Sequence, residues 1–170
     1  MKLFKTKISG AGKYHPEHIM TNQDIMKLVE TTDEWIIQRT GIKERRIADA
    51  EKHEYPSGMA ERAAKMAIKN AGIEPNDIDL ILFSVTIPDT FFPNSASCLQ
   101  EKLGITNKCP TLDVNAACTG WLYGLTMANS LIQTGVYKTI LLCGTEMASN
   151  FNNWEDRNTC VLFGDGSGAV

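Results

Sequence analysis

The sequence has few of the residues that build metal sites or disulfide frameworks. It contains three histidines and five cysteines in 170 residues, with no C-x-x-C pair and no spacing typical of a zinc site. An odd number of cysteines without a pairing pattern indicates reduced thiols. We therefore expect no bound metal and no disulfide.

Long apolar runs and an excess of positive charge are also missing. No apolar run approaches the ~18 residues of a membrane span, and the opening MKLFKTKISGAG has no apolar core of signal-peptide length. The formal net charge is −3, and the one dense basic run, KERR at 43–46, is interpreted as a solvated surface segment. These features argue against membrane and nucleic-acid partners and favour a cytoplasmic protein.

Strand and helix patterns alternate along most of the chain. We predict strands at 3–12, 78–85, 111–116, 138–146 and 159–163, and helices at 22–29, 33–40, 56–71, 93–103 and 119–135. This rhythm is typical of a layered α/β fold with a mainly parallel sheet between helices. The glycine-rich GDGSG at 164–168 lacks the Lys-Ser/Thr of a phosphate loop, so it is interpreted as a hairpin turn.

One cysteine stands out by its position. In TLDVNAACTGWLYG, Cys118 follows a predicted strand and precedes an apolar helix that we expect to be buried centrally. Ligands of open α/β sheets bind at the carboxyl ends of strands, and free N–H groups at a helix start favour a thiolate. Cys118 is therefore a candidate nucleophile, the alternative being a buried structural thiol. A redox role lacks a resolving cysteine, and the histidines, all in polar segments near the start, are expected in solvent.

Four segments together resemble a known family. TNQDIMKLVETTDEWIIQRTGIKERRIA, FFPNSA, DVNAACTGWLYGL and EDRNTCVLFGDGSGAV are similar to the N-terminal half of the β-ketoacyl-acyl carrier protein synthase III family. The resemblance runs through residues 1–170. It implies a thiolase-like fold with two similar α/β halves, of which this chain is one, stacked around buried helices in a homodimer.

The resemblance also implies a reaction that starts fatty-acid synthesis. The cysteine at 118 would take the acyl group from an acyl-CoA, usually acetyl-CoA, and malonyl-acyl carrier protein would then lose carbon dioxide and accept that group. A histidine and an asparagine from the other half would assist the second step. Coenzyme A would enter as the substrate thioester, with no cofactor or metal required.

Further roles follow from the same resemblance. Trp35 would stack on the adenine of coenzyme A with Arg157 on the other face, and Thr31 would touch the same nucleotide. Arg39 would face coenzyme A or form a structural ion pair. Without the resemblance, Trp35 is interpreted as a core residue packing its own helix.

The acyl pocket would involve three more residues. Phe92 would reach into the partner subunit's pocket, unless its neighbour Phe91 does the packing, and Phe163 would line the pocket floor. Ala148 falls where some relatives have a bulkier wall, which predicts a pocket for primers longer than acetyl.

Two alternative functions stay open at this point. One is a related starter enzyme of polyketide-type pathways or a simple acyltransferase. The other is a non-catalytic coenzyme A-binding partner or inactive fragment, against which the thiol of Cys118 argues.

Overall fold

A strand with apolar side chains on both faces lies at the centre of the fold. In the computed structural model, which describes residues 3–170, strand β4 spans Leu80–Ser84 and is buried along its whole length. Ile81 and Phe83 belong to one hydrophobic core, and Leu80 and Leu82 belong to another on the opposite face. The continuous apolar run therefore reflects helices packed on both sides of the sheet.

Strands β1 and β4–β7 form one sheet, and β2 and β3 form a separate two-stranded ribbon. The other strands are β1 (Gly12–Tyr14), β2 (Ile19–Thr21), β3 (Glu44–Arg46), β5 (Thr111–Val114), β6 (Ile140–Met147) and β7 (Asp165–Ala169). The sheet order is β1-β7-β6-β4-β5, with β4 parallel to β5 and β6, and β7 antiparallel to β6 and β1. Among residues 3–170, four of its five strands thus share one direction, so the predicted mainly parallel sheet is confirmed.

Most helix boundaries agree with the capping signals in the sequence. The helices are α1 (Asn22–Ile25), α2 (Asp33–Thr40), α3 (Pro56–Ala71), α4 (Ser95–Lys102) and α5 (Gly120–Gln133). The Thr32 hydroxyl accepts a hydrogen bond from the backbone N–H of Trp35 at 3.1 Å, and Gly41 ends α2 at a φ of 73°. Pro56 opens α3, and Gly72 ends it at a φ of 69°. These positions match a side-chain N-cap, an N-terminal proline and glycine C-caps.

Helix α3 packs its alanine-rich face against the sheet at very short range. Ala60, Ala63, Ala64 and Ala67 are almost fully buried. A methyl group placed on Gly12 of β1 would overlap the carbonyl oxygen of Ala63 and lie 2.6 Å from the amide nitrogen of Ala67. The glycine therefore allows β1 to lie directly on the helix backbone.

The interpretation of KERR as a solvated run is wrong for one of its residues. Arg45 is only 4% exposed. Its guanidinium donates to the side-chain oxygen of Asn22 at 2.6 Å and to the backbone oxygen of Val161 at 2.7 Å. The arginine is buried against a segment that contains Val161, 116 residues further along the chain, and a local charge pattern does not reveal this contact.

The prediction for residues 159–168 is also wrong. Residues 159–163 contain turns rather than a strand, and Cys160 and Val161 pack in a small core with Ile25 and Ile36. The following segment is strand β7, so GDGSG is not a hairpin turn. Its backbone pairs with β6 on one side and with β1 on the other, which holds even a glycine-rich segment extended.

The predicted strand at 3–12 is shorter in the structure and lies later in the chain. Strand β7 pairs with β1 at three residues only, from Gly12 opposite Ala169 to Tyr14 opposite Ser167. Strand β1 therefore begins at Gly12. Residues 3–11 belong to no strand. In the part of the chain that the structure describes, no helix has the length and apolar character needed to cross a membrane.

The close approach of β1 and α3 gives a stability prediction. Gly12→Ala should lower stability by about 1–3 kcal/mol, the usual cost of overpacking, because the new methyl meets helix backbone that cannot move aside. Gly168→Ala, on the neighbouring strand, is the matched control because its methyl would meet no atom within 4 Å. Denaturation midpoints of the two variants check this, and equal midpoints would contradict it.

Candidate active site

Cys118 lies on a short turn that joins a strand to a helix. Strand β5 ends at Val114, the 3-10 turn spans Ala117–Thr119, and α5 starts at Gly120. Ala117 has a φ of 45°, a conformation that non-glycine residues rarely adopt and that often marks functional turns. The thiol is thus presented at the carboxyl edge of the sheet, just before the helix rather than within it.

An open cavity of about 750 Å³ lies next to the thiol. Besides Cys118, its walls combine small residues, aromatic rings and a few polar groups. They are Ser84, Thr86, Ala117, Trp121, Gly144, Thr145, Glu146, Ala148, Phe151, Phe163, Gly164, Gly166, Ser167 and Gly168. A mostly apolar cleft with a few polar groups is typical of a site for a small molecule.

The other cysteines differ from Cys118 in their surroundings. Cys118 is exposed, whereas Cys98 is half-buried and the remaining three are buried. Burial raises the pKa of Cys143 to about 12 and raises the pKa values of Cys98, Cys109 and Cys160 as well. Since the thiolate is the reactive form, these four are poor nucleophiles. The alternative that Cys118 is a buried structural thiol is therefore wrong.

Three close contacts fix the start of α5 against the sheet. A methyl group on Gly120 would collide with the hydroxyl of Ser84, and one on Gly124 would lie 2.6 Å from a methyl of Leu142. One on Gly144 of β6 would lie 2.8 Å from the Trp121 ring. Glycine at these positions lets the helix approach the sheet and places the preceding turn at the strand ends.

The face of α5 that points away from the sheet is exposed, although the sequence predicts that the whole helix is buried. Leu122 and Tyr123 are 57% and 56% exposed. In the described residues, α5 packs only its sheet-facing side, where Gly120, Gly124 and Ala128 are buried. An apolar outer face is left uncovered within the part of the chain described here.

The structure brings Trp35 and both predicted arginines together. The Arg157 guanidinium carbon lies 4.3 Å from the centre of the Trp35 ring, and the Arg39 carbon lies 4.8 Å from it. Trp35 also packs against the core formed by Ile25, Ile36, Cys160 and Val161. The structure therefore agrees with both expectations for Trp35. The ring packs on a core, and it also lies against Arg157. Arg39 forms no ion pair in the described part of the chain and stacks on the indole instead.

The Trp35–Arg157 pair is closed in this structure. Two stacked planes are about 3.5 Å apart, so a base inserted between the ring and the guanidinium needs about 7 Å. Arg157 is held in place by a 3.2 Å hydrogen bond from its guanidinium to the backbone oxygen of Glu30. The neighbouring hydroxyl of Thr31 is buried and has no hydrogen-bond partner in the described residues. A base could enter only if Arg157 moved away.

The predicted acyl-pocket residues lie in two places. Phe163 and Ala148 both line the cavity beside Cys118, and Phe163 contacts the ring of Phe151, with 6.4 Å between ring centres. Phe91 and Phe92 do not line it. They are 99% and 92% exposed on the segment between β4 and α4.

Sequence reasoning missed Glu146, the one charged side chain among the described residues that line the cavity. It is the one acidic residue of β6, but nothing in the local sequence indicates its contacts. Sequence reasoning also missed Trp121, which lies three residues after Cys118 at the start of α5, and Thr86 and Phe151, which only the order of the strands brings to the cavity. The histidines at 15, 18 and 53 are exposed and lie outside the cavity, as expected.

Comparison with known proteins identifies close relatives. Residues 112–170 match the family model of 3-oxoacyl-[acyl-carrier-protein (ACP)] synthase III. The chain is 50% identical over 164 residues to a β-ketoacyl-[acyl-carrier-protein] synthase III of Clostridium acetobutylicum, which covers 96% of this chain and 49% of the relative. The corresponding protein of Rickettsia canadensis is 51% identical, with 96% and 51% covered.

Solved structures agree with these sequence matches. A 3-oxoacyl-[acyl-carrier-protein] synthase III from Aquifex aeolicus superposes with a TM-score of 0.93 at 46% identity, covering 97% of this chain and 52% of that protein. The priming β-ketosynthase of the R1128 polyketide pathway gives a TM-score of 0.92 at 31% identity, covering 99% and 49%. The predicted thiolase-like α/β fold is confirmed.

The chain spans about half the length of the curated relatives it matches. It is similar to the N-terminal half of β-ketoacyl-[acyl-carrier-protein] synthase III proteins, as the sequence motifs predict.

Proposed function

We propose that the protein containing this chain initiates fatty-acid synthesis by transferring an acyl group from acyl-CoA to malonyl-acyl carrier protein. The observation that carries the proposal is the exposed Cys118 thiol at the mouth of a cavity lined by Ala148 and Phe163. The names of its relatives supply the reaction class.

In the first step, the thiolate of Cys118 attacks the thioester carbonyl carbon of acyl-CoA. A new carbon–sulfur bond forms, the bond to the coenzyme A sulfur breaks, and coenzyme A leaves as the thiol after taking up a proton. Thiolate attack of this kind needs an accessible cysteine and space for the acyl chain. Cys118 and the adjoining cavity provide both.

In the second step, malonyl-acyl carrier protein loses carbon dioxide, and the electron pair left on its α-carbon attacks the acyl carbon. The bond to Cys118 breaks, which returns the thiolate and releases the 3-ketoacyl product. No histidine of the described chain lines the cavity. We assign assistance of this step to the histidine and asparagine that the family resemblance places outside these 170 residues.

The nucleotide of coenzyme A would bind at Trp35, with Arg157, Arg39 and Thr31 around it. A guanidinium and an indole ring suit the faces of an adenine. Since Arg157 now lies on the ring, its guanidinium would move from the indole to the outer face of the adenine as the nucleotide binds. The buried hydroxyl of Thr31 gains access to a partner in the same movement.

Assembly is part of the same proposal. A second α/β half would cover the exposed Leu122 and Tyr123 of α5, and the active protein would be a homodimer. The fully exposed Phe92 and its neighbour Phe91 support a subunit contact, since adjacent exposed aromatic rings mark interaction surfaces. Five free thiols support a cytoplasmic location.

The first prediction from this proposal concerns the nucleophile. Incubating the complete protein with acetyl-CoA should give one acetyl adduct by intact-protein mass spectrometry, and Cys118→Ala should give none. Cys98→Ala is the matched control and should keep the adduct, because burial raises the pKa of Cys98. A wild-type protein without an adduct, or an adduct that persists in Cys118→Ala, would contradict the proposal.

A second prediction concerns nucleotide recognition. Arg157→Ala should raise the KM for acetyl-CoA by about 2- to 30-fold, the range of a cation–π contact, with kcat little changed. The KM for acetyl-N-acetylcysteamine, which has no nucleotide, should not change. Arg46→Ala serves as the control arginine, since Arg46 does not stack on Trp35. Equal losses with both thioesters would show that Arg157 does not act through the nucleotide.

A third prediction concerns chain length. Because Ala148 is small and lines the cavity, the complete protein should use butyryl- and isobutyryl-CoA about as well as acetyl-CoA. Ala148→Leu should lower kcat/KM for butyryl-CoA by about 10- to 100-fold relative to acetyl-CoA, as expected for added bulk in an apolar pocket. Ala50→Leu, at an exposed turn, controls for added bulk. A strict acetyl preference in the wild type would rule the idea out.

A further inference from the structure

Glu146 is a charged residue in an otherwise uncharged part of the Cys118 cavity. It lies near the carboxyl end of β6 and is the one carboxylate among the described residues that line the cavity. Placing a carboxylate in a mostly apolar wall is unfavourable unless its oxygens have partners. Its contacts therefore indicate what it does.

One oxygen of Glu146 holds the chain where it leaves β4. Oε1 accepts a hydrogen bond from the backbone N–H of Thr86 at 2.8 Å and another from the Thr86 hydroxyl at 2.6 Å. Strands β4 and β6 pair in register as far as Ser84 and Gly144. Thr86 and Glu146 lie two residues further along the same register, so the carboxylate continues the link between strands beyond their backbone pairing.

Thr86 in turn contacts the segment that carries the nucleophile. Its backbone oxygen accepts a hydrogen bond from the side-chain amide of Asn115 at 3.2 Å. Asn115 is the first residue after β5 and lies three residues before Cys118. The turn that follows includes Ala117 at a φ of 45°. A conformation of this kind persists only where neighbouring contacts maintain it.

The second oxygen of Glu146 has no partner. Oε2 is buried and accepts no hydrogen bond within the described residues. Burial raises the pKa of the carboxyl, and the two hydrogen bonds from Thr86 oppose that shift. A buried oxygen without a partner is unfavourable. The contacts that hold Glu146 within the described residues are therefore those of Oε1 with Thr86.

We propose that Glu146 is a positioning residue that fixes the Cys118 turn through Thr86 and Asn115. The part of the inference that concerns acyl transfer rests on the proposed function. The part that concerns the orientation and reactivity of the thiol does not. The same link fixes the start of the segment that carries Phe91 and Phe92.

The test compares Glu146→Ala with Glu146→Gln in the complete protein. Glutamine keeps an oxygen that can accept from Thr86, whereas alanine removes it. Glu101→Ala, at an exposed position of α4, is the matched control. Two rates are measured for Cys118: acetylation by acetyl-CoA, and alkylation by iodoacetamide, which needs neither a nucleotide site nor an acyl pocket.

Glu146→Ala should slow acetylation by roughly 10- to 100-fold, the scale of a misplacement of about 1 Å, and should also slow alkylation. The KM for acetyl-CoA should stay within about twofold, because Trp35 and Arg157 are untouched. Glu146→Gln should retain both rates within about threefold, and Glu101→Ala should match the wild type.

A double-mutant cycle tests the path through Asn115. If the link exists, Asn115→Ala should add little to the effect of Glu146→Ala, because either change breaks it. If the double variant instead shows the product of the two single-variant rate losses, Asn115 has no part in the link. Wild-type rates in Glu146→Ala would overturn the whole inference, as would equal losses in the glutamine and alanine variants, which would assign the role to charge or proton transfer.

Two further outcomes separate this inference from its alternatives. Alkylation of the buried Cys143 together with Cys118 in Glu146→Ala would reveal general loosening of the fold and would overturn a positioning role. A wild-type protein that is alkylated at Cys118 but never acetylated would contradict the proposed function, while the alkylation rates would still decide the role of Glu146.

Discussion

The short distance between α5 and the sheet is the constraint on which the site depends. Glycine at 120 and 124 lets the helix backbone lie against Ser84 and Leu142, and Gly144 leaves room for the Trp121 ring. Because the helix lies so close to the sheet, the turn before it is placed at the ends of β4 and β6. The position of Cys118 thus follows from the close packing of these glycines against their neighbours. Ser84, Trp121 and Gly144 also line the cavity beside it.

Much of the fold could be predicted because its signals are local. Thr32, Gly41, Pro56 and Gly72 mark helix ends through their own backbone preferences, so α2 and α3 were located closely. Strand β7 was not, since a glycine-rich segment usually turns. It is extended here only because strands from distant parts of the chain flank it on both sides. Pairing with strands from distant parts of the chain cannot be predicted from the local sequence pattern.

Within the site, too, features with local sequence signals could be predicted and long-range contacts could not. Cys118 could be identified because a strand, small residues and a helix start surround it in sequence. The burial of Arg45 and the contacts of Glu146 could not, since their partners, Val161 and Thr86, lie 116 and 60 residues away. The charge pattern alone favours solvent for both side chains. Charged residues that end up buried are thus the ones whose roles only the tertiary structure can suggest.

One segment connects the two ends of the proposed substrate. Residues 157–165 carry Arg157, which stacks on Trp35, and Phe163, which lines the cavity. Arg45 holds the middle of this segment through the backbone oxygen of Val161, and Asp165 holds its end by accepting from the N–H of Ala48 at 2.7 Å. Both attachments lie after Arg157, so they hold the backbone around Phe163 without involving the Arg157 side chain. On the proposed function, movement of Arg157 to admit the nucleotide would leave these attachments beside the acyl pocket in place.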